Sequence, residues 1–281
     1  MVDWRDRVVV VTGAAGGIGL GIGRAFGSRN ARVVLSDIDE DRLVDAVDDL
    51  RDHRIDAVGI PCDVRSLDAM RTLRDEVLDR FGEVSVVCLN AGAPLPRRTI
   101  DVTSDDWDRI LGVNLFGVVH GVQTFLPVME EQQQGHINAT SSMSGLISFP
   151  PVVTYNVAKA GVIAYMETLA RELRSSNSPI GVSVLCPAEV ASGAIENAMR
   201  LARSEGYEPQ HWEAEAAEGA QAGLMQVGMD PDKAGEILRR GIEEDRFWIF
   251  THPEWVAGLV ADKQAAMAKD GTLPNLAEVL Q

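Results

Sequence analysis

The chain has 281 residues, of which 46% are hydrophobic and 24% are charged, and its formal net charge at pH 7 is −16. This length and apolar fraction are enough for a large buried core. The strong acidity argues against nucleic acids and anionic membrane surfaces as partners.

Cysteine and histidine usage predicts no metal site. The three cysteines, Cys62, Cys88 and Cys186, fall at or near predicted strands without metal-ligand spacing, and the five histidines are scattered. We therefore expect buried, reduced thiols. The N-terminus lacks a signal-peptide pattern, and we expect no apolar run to span a membrane, so the expected location is cytoplasmic.

The first predicted unit is a strand, a glycine turn and a helix. An apolar, β-branched run over 7–12 predicts a buried strand, and apolar periodicity after Gly19 predicts a helix. Between them Gly13, Gly17 and Gly19 have Gly-x-x-x-Gly-x-Gly spacing. Such a turn lets backbone N–H groups approach a pyrophosphate at the helix N-terminus. No Gly-Lys-Ser/Thr follows, which argues against a P-loop, and a flexible loop is the alternative interpretation.

The second strand, over 32–36, ends at Asp37, twenty positions after Gly17. A carboxylate there is placed to accept hydrogen bonds from the hydroxyls of an adenosine ribose. It also repels a 2′-phosphate by about 1–4 kcal/mol at about 4 Å. No basic residue stands at Gly16 or Ile38, so NAD is favoured over NADP. Asp37 as a plain loop residue or helix cap is the alternative, and Asp39 is a candidate cap for the next helix.

Strands and helices alternate along the rest of the chain. We predict helices over 40–53, 67–81, 107–133, 155–174, 232–244 and 253 to about 268, and strands over 58–60, 84–89, 135–140, 182–186 and 247–250. The pattern indicates an α/β, Rossmann-type doubly wound parallel sheet of seven strands with helices on both faces. No linker or repeat interrupts it, so we expect one domain over 1–281.

Tyr155 and Lys159 lie four residues apart at the start of a predicted helix, and Ser142 lies upstream. Side chains at this spacing share one helix face. A lysine cation about 4 Å from a phenolate stabilises it by up to about 4 kcal/mol at an effective dielectric near 20. That predicts a tyrosine pKa lowered towards neutral pH, where the phenol can act in proton transfer.

Five motifs in order resemble the short-chain dehydrogenase/reductase family. They are Thr12-Gly13-x-x-x-Gly17-Ile18-Gly19, Asn90-Ala91-Gly92, Asn114, Ser142 and Tyr155-x-x-x-Lys159. The resemblance covers about 5–192 strongly and about 232–252 loosely.

The resemblance implies a role for each catalytic residue. Tyr155 is the implied general acid-base, and Lys159 lowers its pKa and binds the nicotinamide ribose. Ser142 holds the substrate oxygen, and Asn114 supports a water-linked proton relay to Lys159. Ser141 is adjacent, but the thirteen-residue interval to Tyr155 matches Ser142 better.

The resemblance also implies a set of NAD-binding residues. They are Gly13, Gly17, Ile18, Gly19, Asp37, Asp63, Val64, Asn90, Ala91, Gly92, Tyr155, Lys159, Pro187, Val190 and Ser192. Asp63 matches the aspartate that contacts adenine. Ala188 and Ser192 replace the family's glycine and threonine in the segment beside the carboxamide. Ser192 keeps a hydroxyl, and Ala188 costs roughly 1 kcal/mol or more if its φ is positive.

The last third of the chain suggests substrate binding and assembly. The segment 193–230 resembles the family's variable substrate loop, with one or two short helices. A mobile lid over an apolar substrate and plain packing on the body are equal interpretations. The segment 253–281 is expected to form a C-terminal helical extension. The strand over 247–250 has more aromatic side chains than one exposed edge strand can solvate. In the family that the chain resembles, this edge and the helices over 107–133 and 155–174 build dimers and tetramers, which implies a homotetramer, or a dimer. Internal packing by the C-terminal helix is the alternative.

We therefore expect an NAD-dependent oxidoreductase acting on a small-molecule secondary alcohol or ketone that is apolar (alicyclic, aromatic or steroid-like). An NADP-type ketone or 3-oxoacyl-thioester reductase is the alternative enzyme. A dinucleotide-sensing binding protein is the alternative without catalysis.

Overall fold

A computed structural model describes residues 2–269 of the chain. Seven strands form one parallel sheet in the order β3-β2-β1-β4-β5-β6-β7. The strands are β1 (Val8–Thr12), β2 (Arg32–Ser36), β3 (Ala57–Gly59), β4 (Val86–Leu89), β5 (His136–Thr140), β6 (Gly181–Cys186) and β7 (Trp248–Phe250). The predicted doubly wound fold is confirmed.

The helices follow the predicted order. They are α1 (Gly17–Gly27), α2 (Glu40–Asp52), α3 (Leu67–Phe81), α4 (Ser104–Leu111), α5 (Gly117–Gln132), α6 (Val153–Ser175), α7 (Ala194–Ser204), α8 (His211–Val227), α9 (Pro231–Glu243), α10 (Pro253–Trp255) and α11 (Ala261–Lys269). Two π-helical turns, Gly112–Phe116 and Val256–Val260, join α4 to α5 and α10 to α11. The expected C-terminal extension is helical as far as 269, and its part over 270–281 lies outside the described residues.

Alternating strand side chains divide the core between the two faces of the sheet. Val8 and Val10 of β1 pack with α3, α5 and α6 on one face. Val9 and Val11 pack with α1, α2 and α9 on the other. Helices therefore cover both faces, and the carboxyl ends of the strands form one edge where ligands bind in folds of this kind.

One helical stretch is unusually apolar. Ser104–Gln132, which joins α4, its π-turn and α5, is long and apolar enough to cross a membrane by length and composition alone, with a mean hydropathy of 1.4 over an 18-residue window. Such a single helix is weak evidence and does not contradict the expectation that no run spans a membrane. Its apolarity has a source in the core, because Val118, Val122, Phe125 and Met129 pack against the sheet. A core helix passes the same composition test.

Candidate active site

The glycine turn after β1 has the shape of a cradle for a phosphate group. Gly13 and Gly17 have φ of +63° and +53°, a region that favours glycine. A Cβ on Gly13 would lie 2.6 Å from Ala91 Cα, and one on Gly17 would lie 2.9 Å from Ser192 Cβ. Backbone replaces side chains here, at the N-terminus of α1, where the helix dipole favours anions. The residues present therefore fit a dinucleotide pyrophosphate.

Asn90 braces this turn from the end of β4. Its Nδ2 donates to the carbonyls of Thr12 and Gly13, both at 3.1 Å, and its Oδ1 accepts from Thr140 Oγ1 at 3.1 Å. Asn90 also lines the cleft, and its contact with a cofactor stays a prediction. Both atoms of its side-chain amide make hydrogen bonds that connect the ends of β1, β4 and β5.

Asp37 lies at the end of β2 and also supports the turn. Its Oδ2 accepts from the backbone N of Ala15 at 3.0 Å, and its Oδ1 accepts from that of Asp39 at 3.1 Å. Asp39 caps α2, as the sequence suggested, by accepting from the backbone N of Arg42. The carboxylate of Asp37 therefore has a fixed orientation at the mouth of the cleft.

Two arginines approach the same end of the cleft, and the sequence analysis placed neither of them there, since it considered Arg200 only as a candidate for the substrate region. A Cβ on Gly16 would lie 3.0 Å from Arg42 Nη2. Arg200 of α7 forms an ion pair with Asp39 at 2.5 Å. Arg42 is only five residues from Asp37 and could have been noticed, but nothing local marks Arg200, which is 161 positions from Asp39.

Asp63, after β3, is held in a fork by Arg65. The Nε of Arg65 lies 3.0 Å from each carboxylate oxygen of Asp63, and its Nη2 lies 2.8 Å from Oδ2. Burial raises the pKa of Asp63, but the hydrogen bonds from Arg65 outweigh it and hold that pKa below its usual range. Asp63 and Val64 line the cleft next to the glycine turn.

Ser142, Tyr155 and Lys159 converge where β5 and α6 meet. Lys159 is buried, and its Nζ donates to the Thr140 carbonyl at 2.8 Å. The Nζ lies 5.4 Å from the centroid of the Tyr155 ring. The hydroxyl of Ser141 donates to the Lys159 carbonyl at 2.8 Å. Ser141 is thereby used to anchor α6, which leaves Ser142 as the serine beside the phenol.

The prediction of a lowered tyrosine pKa is wrong for the protein without ligands. Burial raises the pKa of Tyr155 to about 12, and the hydrogen bond with Ser142 opposes that rise only in part. Burial also lowers the pKa of Lys159 to about 7. Desolvation thus acts against both charged forms, and the lysine charge that would stabilise a phenolate is itself weakened. Tyr155 nevertheless keeps a partly exposed surface.

Asn114 is placed by a π-helical turn instead of the continuous helix that we predicted. Its Nδ2 donates to the carbonyls of Ala93 and Ile110, at 3.2 and 3.1 Å. Its buried Oδ1 has no partner within the described part of the chain. A Cβ on Gly92 would lie 2.5 Å from that oxygen and 2.9 Å from Lys159 Nζ. The turn therefore aims a free acceptor at the lysine, and π-turns occur often at functional sites.

The segment after β6 completes the cleft wall. Ala188 is absent from the described residues with positive φ, so the replacement of glycine carries no backbone strain. Its backbone N donates to Thr251 Oγ1 at 3.1 Å. Pro187, Val190 and Ser192 line the cleft, and Ser192 stands directly against Gly17.

The structure brings nearly all of the predicted site residues to one cleft of about 1040 Å³. Gly19 is the exception, because it does not line the cleft. A Cβ on Gly19 would lie 2.3 Å from the Gly13 carbonyl oxygen, so this glycine serves the packing of α1 against the turn. No group of His, Cys, Asp or Glu side chains that could hold a metal ion occurs over residues 2–269.

The segment 193–230 forms α7 and α8, and α8 is longer than expected. The apolar side of α7, with Ile195 and Met199, packs on Leu95 and Ile110. Leu224 and Val227 of α8 line the cleft, and the Val227 side chain is exposed. One side of this segment therefore packs on the body and another lines the cleft, and its role as a mobile lid stays a prediction.

A buried ion cluster anchors this segment. Arg97 Nε lies 3.2 Å from Asp106, and its Nη1 lies 3.5 Å from Glu213, whose side chain is fully buried. Tyr207 accepts a hydrogen bond from Arg97 and donates one to Glu213. Charges buried in this way need their partners, because removing one leaves an uncompensated charge.

Comparison with known proteins identifies the class. Residues 7–201 match the family model described as short chain dehydrogenase. The chain is also 33% identical over 267 residues to the C alpha-dehydrogenase of Sphingobium sp. (strain NBRC 103272 / SYK-6), covering 94% of this chain and 87% of that protein. The chain belongs to the short-chain dehydrogenase/reductase family of oxidoreductases, as the motifs predicted.

Solved structures with this fold include both an NAD complex and an NADP complex. A short-chain dehydrogenase/reductase from Burkholderia phymatum in complex with NAD has a TM-score of 0.92 and 31% identity, with 98% of this chain and 99% of that chain covered. A metagenomic short-chain oxidoreductase in complex with NADP has a TM-score of 0.63 and 30% identity, with 67% and 85% covered. Members of this family thus bind a nicotinamide dinucleotide, and the likeness does not choose between the two forms.

The burial of Lys159 makes a testable prediction about stability. The pKa of Lys159 is about 7 in the folded protein and near 10.4 when unfolded, so between these values the unfolded chain binds more protons. The free energy of unfolding therefore gains a contribution as pH rises from 7, which Lys159→Met removes. The wild-type value minus the Lys159→Met value is expected to rise by about 2–3 kcal/mol between pH 7 and pH 9.

Urea unfolding at both pH values measures this difference. Lys233→Met, which changes an exposed lysine, is the matched control and should show no such trend. A difference that stays constant from pH 7 to pH 9 would show that Lys159 keeps its proton in the folded protein.

Proposed function

We propose that the protein is an NAD-dependent oxidoreductase that transfers hydride between nicotinamide and a secondary alcohol or ketone. The observation that carries the proposal is the meeting of Ser142, Tyr155 and Lys159 in the same cleft as the glycine cradle. Membership of the family supplies the reaction class.

The preference for NAD rests on Asp37. Its carboxylate lies at the mouth of the cleft, positioned to accept from ribose hydroxyls and to repel a 2′-phosphate. Arg42 and Arg200 are nearby cations that would attract a 2′-phosphate, although Arg42 is engaged by Asn197 and Arg200 by Asp39. Because this attraction offsets part of the repulsion from Asp37, we expect a preference for NAD that is smaller than Asp37 alone would give. The NAD complex of the Burkholderia phymatum structure is consistent with it.

The bound dinucleotide supplies hydride transfer at its nicotinamide ring, and the protein supplies proton transfer and orientation. Ser142 holds the substrate oxygen beside the Tyr155 hydroxyl. In ketone reduction the neutral phenol donates its proton to that oxygen, and its raised pKa keeps it protonated beforehand. In alcohol oxidation the phenol must first lose its proton, which would pass through a water molecule to the amine of Lys159, whose pKa is about 7, and from there to solvent. The free Oδ1 of Asn114 would accept a hydrogen bond that holds this relay in place.

The substrate half of the cleft favours an apolar molecule. Its wall beyond Tyr155 is formed by apolar side chains, namely Leu95, Ile110, Val113, Phe149, Val152, Ile195, Leu201, Leu224 and Val227. The arginines lining the cleft, Arg42, Arg65, Arg109 and Arg200, each have a partner in the protein. A neutral alicyclic, aromatic or steroid-like alcohol fits this surface better than an anionic thioester.

The chain-level assignments are also proposals. We propose one catalytic domain over 1–281, with 193–230 as the substrate-binding segment and 253–281 as a C-terminal extension. We propose neither nucleic acid nor membrane as a partner because the net charge is −16. A cytoplasmic location is a separate proposal, and the three free, buried cysteines are consistent with it.

The first test is a cofactor and substrate panel. Formation of NADH or NADPH is followed at 340 nm with secondary alcohols that are cyclic, aromatic or steroidal. We expect activity on one apolar class, with kcat/KM for NAD at least about tenfold above that for NADP, as about 1.4 kcal/mol of repulsion requires. A preference for NADP would support the ketone or 3-oxoacyl-thioester reductase instead. NADH binding without turnover of any compound would support a binding protein.

The second test removes the phenol hydroxyl. Tyr155→Phe is expected to bind NADH as the wild type does, because the ring and Lys159 remain. Its kcat should fall by a factor of about 10² to 10⁴, the usual contribution of a positioned acid-base group. Thr154→Val, at the neighbouring buried position, controls for disturbance of α6. Activity near that of the wild type in Tyr155→Phe would remove the role given to this residue.

The third test concerns assembly. Trp255, Val256 and Leu259 of the C-terminal helices pack on Met143 and Ile147, so internal packing covers part of the aromatic edge, as the alternative held. We still propose a homotetramer, or a dimer, because of the exposed side chains Phe116 and Val157, which lie on contacting helical segments. Light scattering should give about four chain masses. A Phe116→Asp variant should dissociate, and a wild-type monomer would contradict the proposal.

A further inference from the structure

Helix α7 is tied to the two loops that form the adenosine end of the cleft. Near its middle, Arg200 forms an ion pair with Asp39, and Asn197 accepts a hydrogen bond from Arg42. Both partners belong to the region after β2. At its C-terminal end, the C-cap residue Glu205 reaches in the other direction, towards the loop after β3. The helix is therefore held to the region after β2 through its middle and to the loop after β3 through its C-terminal end.

Glu205 joins two arginines that belong to different elements. Its Oε1 lies 2.7 Å from Arg65 Nη1, and its Oε2 lies 2.9 Å from Arg109 Nε. Arg65 is the residue that holds Asp63 in a fork, with three contacts of 2.8 to 3.0 Å. Arg109 precedes Ile110 on α4, which lines the substrate half of the cleft. One carboxylate therefore links the adenine end of the cleft, α7 and α4.

The arrangement has more contacts than an ordinary surface ion pair, although Glu205 lies at the surface. Isolated exposed pairs contribute little, because solvent screens them and two long side chains must be held in place. Here each oxygen of Glu205 has its own arginine, and the side chain is 28% exposed. Burial raises the pKa of Glu205, but the hydrogen bonds from Arg109 and Arg65 outweigh it and lower that pKa. The group is charged and doubly held, so it can fix the orientation of Arg65.

We propose that Glu205 is a positioning residue for the adenosine end of the dinucleotide. It orients Arg65, which in turn fixes the Asp63 carboxylate, and it holds α7 over the same end of the cleft. This inference rests on the proposed function, because it requires a dinucleotide with its adenosine beside Asp63. It follows that loss of the Glu205 charge weakens cofactor binding more than it slows turnover at saturating cofactor.

The test replaces Glu205 by glutamine, which keeps the shape and removes the charge. NADH binding is measured by fluorescence titration of the whole protein without substrate. The Kd of Glu205→Gln is expected to be about tenfold above that of the wild type, equivalent to about 1.4 kcal/mol. At saturating NAD its kcat should stay within about twofold of the wild-type value, so that the KM for NAD carries the effect.

Glu208→Gln is the matched control. Glu208 is exposed, lies three positions further along the same segment and makes no ion pair with a described residue, so its NADH affinity should not change. Arg65→Gln should reproduce the loss in Glu205→Gln. The double variant should lose little more than either single one, because the two residues act in series. Glu205→Asp should recover part of the affinity.

The outcomes separate this inference from the proposed function. Equal NADH affinity in the wild type and Glu205→Gln overturns the positioning role, as does a change confined to the KM for the alcohol. A wild-type protein that binds no NADH, or prefers NADPH, contradicts the proposed function instead. Added salt should weaken NADH binding more in the wild type than in Glu205→Gln, since screening acts on the charge that the variant lacks.

Discussion

The close approach of the β1 turn to the end of β4 determines the shape of the whole site. Gly13 lies so near Ala91 that a single added carbon would collide with the backbone. The amide of Asn90 joins the same two strands to β5 by three hydrogen bonds. With β1 and β4 fixed at this distance, the loops after β2, β3, β5 and β6 surround one continuous cleft. The space for a pyrophosphate exists because Gly13 and Gly17 have no side chains to fill it.

Burial controls the chemistry of the central pair. A sequence shows that Tyr155 and Lys159 share a helix face, and Coulomb's law then predicts a stabilised phenolate. The fold buries Lys159 and much of Tyr155, and desolvation opposes each charged form. The protein without ligands therefore holds the pair closer to neutral than a surface helix would. Under the proposed function, burial must therefore be offset before the phenol can lose its proton, and the buried Oδ1 of Asn114 is an unpaired acceptor close to this pair.

Local sequence was sufficient for the order of strands and helices, and the family motifs located many of the residues that line the cleft. Strand and helix periodicity, together with turn chemistry, placed β2 and α3 at their observed bounds. The π-turn around Asn114 was not predictable, because its residues continue the apolar pattern of the helices on either side. Neither were the contacts of α7, since Arg200 and Asp39 lie far apart in the chain and become neighbours only after folding. The Tyr155 pKa was missed for a related reason, because burial is a property of the assembled core.

The ion cluster around Arg97 has a consequence for attempts to change the substrate by exchanging 193–230. Glu213 belongs to that segment, whereas Arg97 and Asp106 belong to the body that would stay behind. A donor segment without an acid at this position would lose the Glu213 partner of Arg97 in a poorly solvated place, and the graft would fold less well whatever its pocket. A donor segment must therefore carry an acid at the position of Glu213 if it is to fold on this body, whatever substrate its pocket fits. Substrate specificity and stable folding are thus coupled through this ion cluster.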